Sequence, residues 1–125
     1  MRGPANLDIT IYQGATFRLP FELVDEDDVA VSIAGATIRG KVKNDVDDLA
    51  AAQIVAFTGT VTDGPNGEGE VTLTAVETAA IALPASPAKK RPLTKYLYDV
   101  EILFSDNQVQ RILEGNCYVS PEVTK

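Results

Sequence analysis

Apolar and polar side chains alternate along most of the chain, and a period of two is the signature of half-buried strands. Leu7, Ile9 and Ile11 alternate with Asp8, Thr10 and Tyr12. After a break at Gln13-Gly14, Phe17, Leu19, Phe21 and Leu23 alternate with Thr16, Arg18, Pro20 and Glu22. Pro20 has no N–H to give to a ladder, which places its strand at a sheet edge or a bulge. Asp25-Glu26-Asp27-Asp28 reads as a hairpin loop before a short strand, Val29 to Ile33. Ile38, Gly40 and Val42 alternate with Thr37, Arg39, Lys41 and Lys43, predicting a strand with a basic outer face. The stretch Asn44 to Ala52 fits either a helical turn or an irregular loop.

In the second half, Phe57, Gly59 and Val61 alternate with Thr58, Thr60 and Thr62. A turn-rich stretch follows, in which Asn66-Gly67 can supply the positive φ angles of a hairpin before Glu70-Val-Thr-Leu. Thr74-Ala-Val-Glu77 matches a capping box, so one short helix is expected over residues 75–82, ended by Leu83-Pro84. Pro84 to Pro92 carries three prolines and three basic residues and reads as a surface loop. Two long strands close the chain, Lys95 to Phe104 and Gln108 to Ser120, joined at Ser105-Asp106-Asn107. Many short strands, close turn signals and no βαβ alternation predict an all-β antiparallel sandwich of immunoglobulin-like architecture, with no parallel sheet. At 125 residues a single domain spanning 1–125 is expected, with short peripheral tails.

Composition narrows the chemistry. With 11 basic and 18 acidic residues the net charge is -7, which disfavours binding to phosphate backbones. The absence of histidine removes Ser-His-Asp and Cys-His nucleophile pairs and His-ligated zinc. A single cysteine, Cys117, allows no internal disulfide and reads as a packed core thiol. No export signal is legible and no apolar run reaches bilayer length, which fits folding in a reducing cytoplasm.

The acids group in ways that invite chemistry. Asp25 to Asp28, and Asp45, Asp47 and Asp48, could offer oxygens to Ca²⁺, but they lack spaced ligand geometry and read as solvated loops. Asp99 and Glu101 project from one face of a strand, a spacing that would suit a glycosidase pair. They are also the expected polar partners of a buried Tyr96-Tyr98-Val100-Ile102 stripe, and that is the reading taken. No metal or cofactor is expected. The one basic cluster, Lys89-Lys90-Arg91 with Lys95 nearby, is the candidate contact for an acidic partner.

Several short pieces of the chain stand in a characteristic order. They are Asn6-Leu-Asp-Ile-Thr-Ile-Tyr-Gln-Gly-Ala-Thr-Phe-Arg, Phe21-Glu-Leu-Val-Asp and Ile33-Ala-Gly-Ala-Thr-Ile-Arg-Gly-Lys-Val. Leu73-Thr-Ala-Val-Glu-Thr-Ala-Ala, Tyr98-Asp-Val-Glu-Ile and Arg111-Ile-Leu-Glu-Gly continue the series toward Val119-Ser-Pro-Glu-Val-Thr. Together they resemble small structural proteins of tailed bacteriophages and are similar to the N-terminal β-sandwich domain of upper baseplate proteins, although the Pro84 to Thr94 loop is longer than that pattern. The resemblance implies a non-enzymatic virion component, an adaptor or attachment module in the tail, baseplate or neck. Its partners would be other virion proteins and copies of itself, without nucleic acid or membrane, assembled in the bacterial host cytoplasm. Two other roles fit a domain of this kind, a capsid decoration protein and a carbohydrate-binding module for a host surface glycan. With no Trp and four Tyr, the stacking platform for sugars is thin.

Overall fold

The computed structural model describes residues 5–43, 53–81 and 94–121. Nine strands and one helix occur among them: β1 (Ala5–Asn6), β2 (Ile9–Tyr12), β3 (Phe17–Glu22), β4 (Thr37–Lys43), β5 (Gln53–Ala56), β6 (Thr58–Asp63), β7 (Glu68–Leu73), α1 (Ala75–Ala79), β8 (Thr94–Leu103) and β9 (Val109–Ser120). One sheet runs β9-β8-β4-β5, with β1 and β2 both lying along the free side of β9. The other runs β3-β7-β6. These orders correspond to the G-F-C-C′ and B-E-D sheets of immunoglobulin-like sandwiches. The all-β sandwich is therefore as the alternation predicts.

The strand direction differs from expectation at one place. β1 and β2 run parallel to β9, pairing Ala5 with Leu113 and Ile9 with Cys117. A tight hairpin forces neighbours antiparallel, but these strands are joined through the whole domain, so no turn dictates their direction. Gly115 makes the junction between the two parallel segments possible. Any Cβ there would strike the Leu7 carbonyl, which approaches β9 closely and accepts a hydrogen bond from the Tyr98 hydroxyl. The Leu7 N–H donates to the Glu114 carbonyl at 2.9 Å, and the Asp8 carboxylate accepts from the Asn116 N–H at 3.1 Å.

The opposite side is closed by a continuous run of chain. β5 pairs with β4 in the first sheet, and after Phe57 the same run becomes β6 and pairs with β7 in the second. The Phe57 N–H donates to the Gly40 carbonyl at the crossing, and its ring packs edge-on to Tyr98 at 6.3 Å. β5 follows the Asn44–Ala52 stretch, which lies outside the described residues, and the sequence pattern had not resolved it as a strand.

The core follows the predicted register. Tyr96, Tyr98, Val100 and Ile102 of β8 are buried, facing Ile38 and Val42 of β4 and Val71 and Leu73 of β7 in one cluster. Phe17, Leu19 and Phe21 face inward as expected, yet they are only half-buried because β3 is an edge strand beside the open side of the sandwich. Pro20 pairs with Glu70, and the Leu23 N–H→Gly67 carbonyl bond fixes which residues of β3 face β7. By that alternation the Pro20 nitrogen points to the free edge, where a missing donor costs nothing.

Three local expectations are revised. Val29 to Ile33 is not a strand; it makes an isolated bridge between Val24 and Ala30 and then bonds the tip of the β6–β7 hairpin through Ile33 N–H to Gly64. In that hairpin only Gly67 takes a positive φ, 70°, while Asn66 does not and instead donates to the Asp63 carboxylate. The helix is shorter than residues 75–82, ending at Ala79 with Ala80 as its C-cap. Its capping box forms as predicted, the Glu77 N–H donating to the Thr74 hydroxyl at 3.1 Å and the Thr74 N–H to the Glu77 carboxylate at 2.9 Å.

A buried polar side chain ties this helix to the rest. Thr78 is 0% exposed; its hydroxyl accepts from the Gly14 N–H at 3.0 Å and donates to the Ala15 carbonyl at 2.8 Å. It thereby satisfies the tight corner between β2 and β3. Thr78→Val keeps the shape but leaves the half-buried Gly14 N–H without its acceptor, so in urea melts it should cost about 1–3 kcal/mol. Thr74→Ala, at the exposed cap, should cost about 1 kcal/mol. For the core, Ile102→Ala should cost about 2–5 kcal/mol, and Phe21→Ala, already half in water, should fall at or below the low end of the roughly 3–5 expected for a fully buried Phe.

Candidate interaction surface

The acidic hairpin loop folds its first carboxylate back on itself. Asp25 Oδ1 accepts from the Asp27 N–H at 2.8 Å and from the Val29 N–H at 3.0 Å, an Asx-type turn that lets Asp28 take φ 62°. Among the described residues no group of His, Cys, Asp or Glu side chains is arranged to hold a metal ion. Asp45, Asp47 and Asp48 lie outside the described residues.

Asp99 and Glu101 sit together on the outer face of the first sheet, as their spacing predicts, within a ladder of alternating charge. Arg39 on β4 pairs with Glu101. Arg111 on β9 lies 3.7 Å from Asp99 and 3.6 Å from Glu114. Lys41 stands across from Asp99 in the strand register. The second sheet carries one such pair, Arg18 forked onto Glu70 at 2.9 and 3.2 Å. Each exposed pair is worth about 0–1 kcal/mol, so the ladder sets surface pattern more than stability. It is a solvated face of fixed sign alternation.

Cys117 is 0% exposed, and burial pushes its thiol up to about 12. Tyr98 is likewise raised to about 12, by burial first and then by Cys117 and Asp8, and Tyr96 is raised by burial and Cys117. Of the four tyrosines, Tyr96 and Tyr98 are thus in the core, Tyr118 is half-buried, and Tyr12 is 62% exposed at the end of β2. Sugar stacking on paired rings has no platform among these four.

On the open side of the sandwich a cavity of about 130 Å³ lies between the end of β3 and the start of β9, lined by Phe21, Leu23, Ile112 and Leu113 with Glu22 and Gln110. Small-molecule sites usually run to roughly 300–1,000 Å³, so this space suits one side chain. Lys95 is exposed at the start of β8, on the outer face beside Tyr118. Lys89, Lys90 and Arg91 lie outside the described residues. The sequence marks β3 as an edge through Pro20 but does not single out β2, whose exposure depends on strand order that no local pattern encodes. Among the described residues the other exposed large apolar side chains are Leu7, Val29, Val76 and Val109. No helix among the described residues is long and apolar enough to cross a membrane.

No family model matches the chain, and no curated protein sequence matches it. Among solved structures it is similar, at a TM-score of 0.35 and 8% identity, to a family 123 glycoside hydrolase from Clostridium perfringens. The match covers 96% of this chain and 24% of that one, so the chain spans about a quarter of the hydrolase's length. A likeness at that score carries no functional reading.

The raised thiol and phenol give a pH prediction with a definite sign. Between about 9 and 12 the unfolded chain has lost protons that the folded chain keeps on Cys117 and Tyr98, so stability falls as pH rises through that window. Urea midpoints at pH 8, 9.5 and 11 should decline in order, with Cys117→Ala declining less steeply. Native Cys117 should resist a thiol reagent at pH 8 and react only on unfolding.

Proposed function

We propose that this chain is a non-enzymatic structural component of a tailed-phage virion, an adaptor or attachment module in the tail, baseplate or neck. The observation that carries the reading is the order of its sequence pieces, three of which contain a structural boundary. Gly14-Ala15-Thr16 forms the corner between β2 and β3, Gly35-Ala36-Thr37 opens β4, and Thr74-Ala-Val-Glu77 caps α1. The fold is compatible with such a role, since the two sheets of a sandwich present broad faces and edges as a working surface. Many symmetry-related copies can each make a modest contact and hold firmly together. In this reading Lys89, Lys90, Arg91 and Lys95 meet an acidic surface on a neighbouring subunit, where rim charges steer and orient docking.

The test is direct. Purified particles from producing cells should contain the chain in stoichiometric amount by mass spectrometry, and immunogold labelling should mark the tail or its junctions. Label on the capsid surface would favour a decoration protein, and absence from particles would overturn the virion reading. Replacing Lys89, Lys90 and Arg91 together by Ala should leave the melting temperature unchanged and lower incorporation, more so at high salt.

A further inference from the structure

The free sheet edges of this domain are not equivalent. β3 carries Pro20 at its centre with Arg18 and Glu22 to either side, and all three turn their backbone toward the open edge. A missing donor and alternating charge are the usual devices that stop a strand from recruiting another. On the far side, β5 and β6 are one run of chain wrapped around the corner of the sandwich. β2 has no such protection. The Leu7 N–H→Glu114 and Gln13 N–H→Ser120 bonds fix its parity, so Ile9 and Ile11 bond β9 while Thr10 turns its N–H and C=O outward and Tyr12 its N–H, the Tyr12 carbonyl accepting from the Ala15 N–H at 3.0 Å. Among the described residues no strand pairs with that side of β2.

The edge is also uncharged. Between Ile9 and Thr16 there is no Asp, Glu, Lys or Arg, and the Asp8 carboxylate just before it accepts from the Asn116 N–H. On a chain of net charge -7, this is a strip where two copies can approach with little repulsion. Two exposed apolar side chains flank it, Leu7 at 42% and Tyr12 at 62%. The geometry is self-complementary: an antiparallel pair centred on Thr10 lets the two Thr10 residues exchange both N–H···O=C bonds.

We propose that β2 is an interface strand that pairs antiparallel with β2 of a second copy about a two-fold axis at Thr10, joining two β9-β8-β4-β5 sheets into one. The contact is isologous and closed, so it yields a dimer and not a fibre. It uses main-chain pairing of the kind by which sheet edges accept a strand. The inference does not rest on the virion reading, because it concerns copies of this chain alone.

Sedimentation velocity of the full chain over a concentration series tests it, together with hydrogen exchange at single-residue resolution. The wild type should form a concentration-dependent dimer in which the Thr10 and Tyr12 amides gain protection. Ile9 and Ile11, bonded to β9, should be protected in monomer and dimer alike. Thr10→Pro removes only an outward N–H, so it should sediment as a monomer with an unchanged circular dichroism spectrum. Should that variant fail to fold, Thr10→Lys keeps the N–H and sets two ammonium groups across the axis, weakening the dimer by at least about tenfold. A wild type that stays monomeric at high concentration would overturn the proposal. So would a dimer that survives Thr10→Lys, or one in which the Thr10 amide exchanges freely.

Discussion

Everything in this domain hangs on β8, paired with β4 on one side and β9 on the other. A central strand of this kind has its register fixed twice. A slip by one residue would turn Tyr96, Tyr98, Val100 and Ile102 out to water and bring Asp99 and Glu101 into the core, so the pairing admits a single solution. The charge ladder on the outer face is the other half of the same constraint. Arg39, Glu101, Arg111 and Asp99 meet because the inward residues must be apolar.

That constraint explains what could be read in the sequence. Alternation is local, so the strands from Leu7 to Leu23, Thr37 to Lys43 and Lys95 to Ser120 were visible, as was the capped helix at Thr74. Pro20 correctly marked an edge because its chemistry forbids an interior place. What alternation does not encode is partnership. The parallel pairing of β1 and β2 with β9, the crossing at Phe57, and Thr78 serving the β2–β3 corner all join residues far apart in the chain. Thr78 in particular looked like one more helix residue, since its partners Gly14 and Ala15 lie 64 and 63 positions away. The half-exposure of Phe17, Leu19 and Phe21 has the same origin: their pattern announces an inner face, but only the sheet order says that the face is uncovered on one side.

The candidate surfaces divide along the same line. Asp25 was read as part of a solvated loop, and it is a turn-forming carboxylate spent on its own backbone. Cys117 was read as core, and it is fully enclosed. The differences between one sheet edge and another were invisible until strand order was known, and the protection of β3 beside the openness of β2 is a property of the assembled sheets.

The parallel attachment of the N-terminal strands also has a consequence for biosynthesis. Leu7 bonds Glu114, and Gln13 bonds Ser120, so β2 meets its partner strand only after roughly a hundred further residues have been made. At about 5–20 residues per second this interval lasts several seconds or more, during which Ile9 and Ile11 have no sheet to join. The hairpins β6–β7 and β8–β9 can form on their own local contacts, and loop-closure entropy makes the end-to-end pairing the slow step. A nascent chain therefore carries β2 unpaired until β9 has emerged, and completes this sheet by closing it like a clasp.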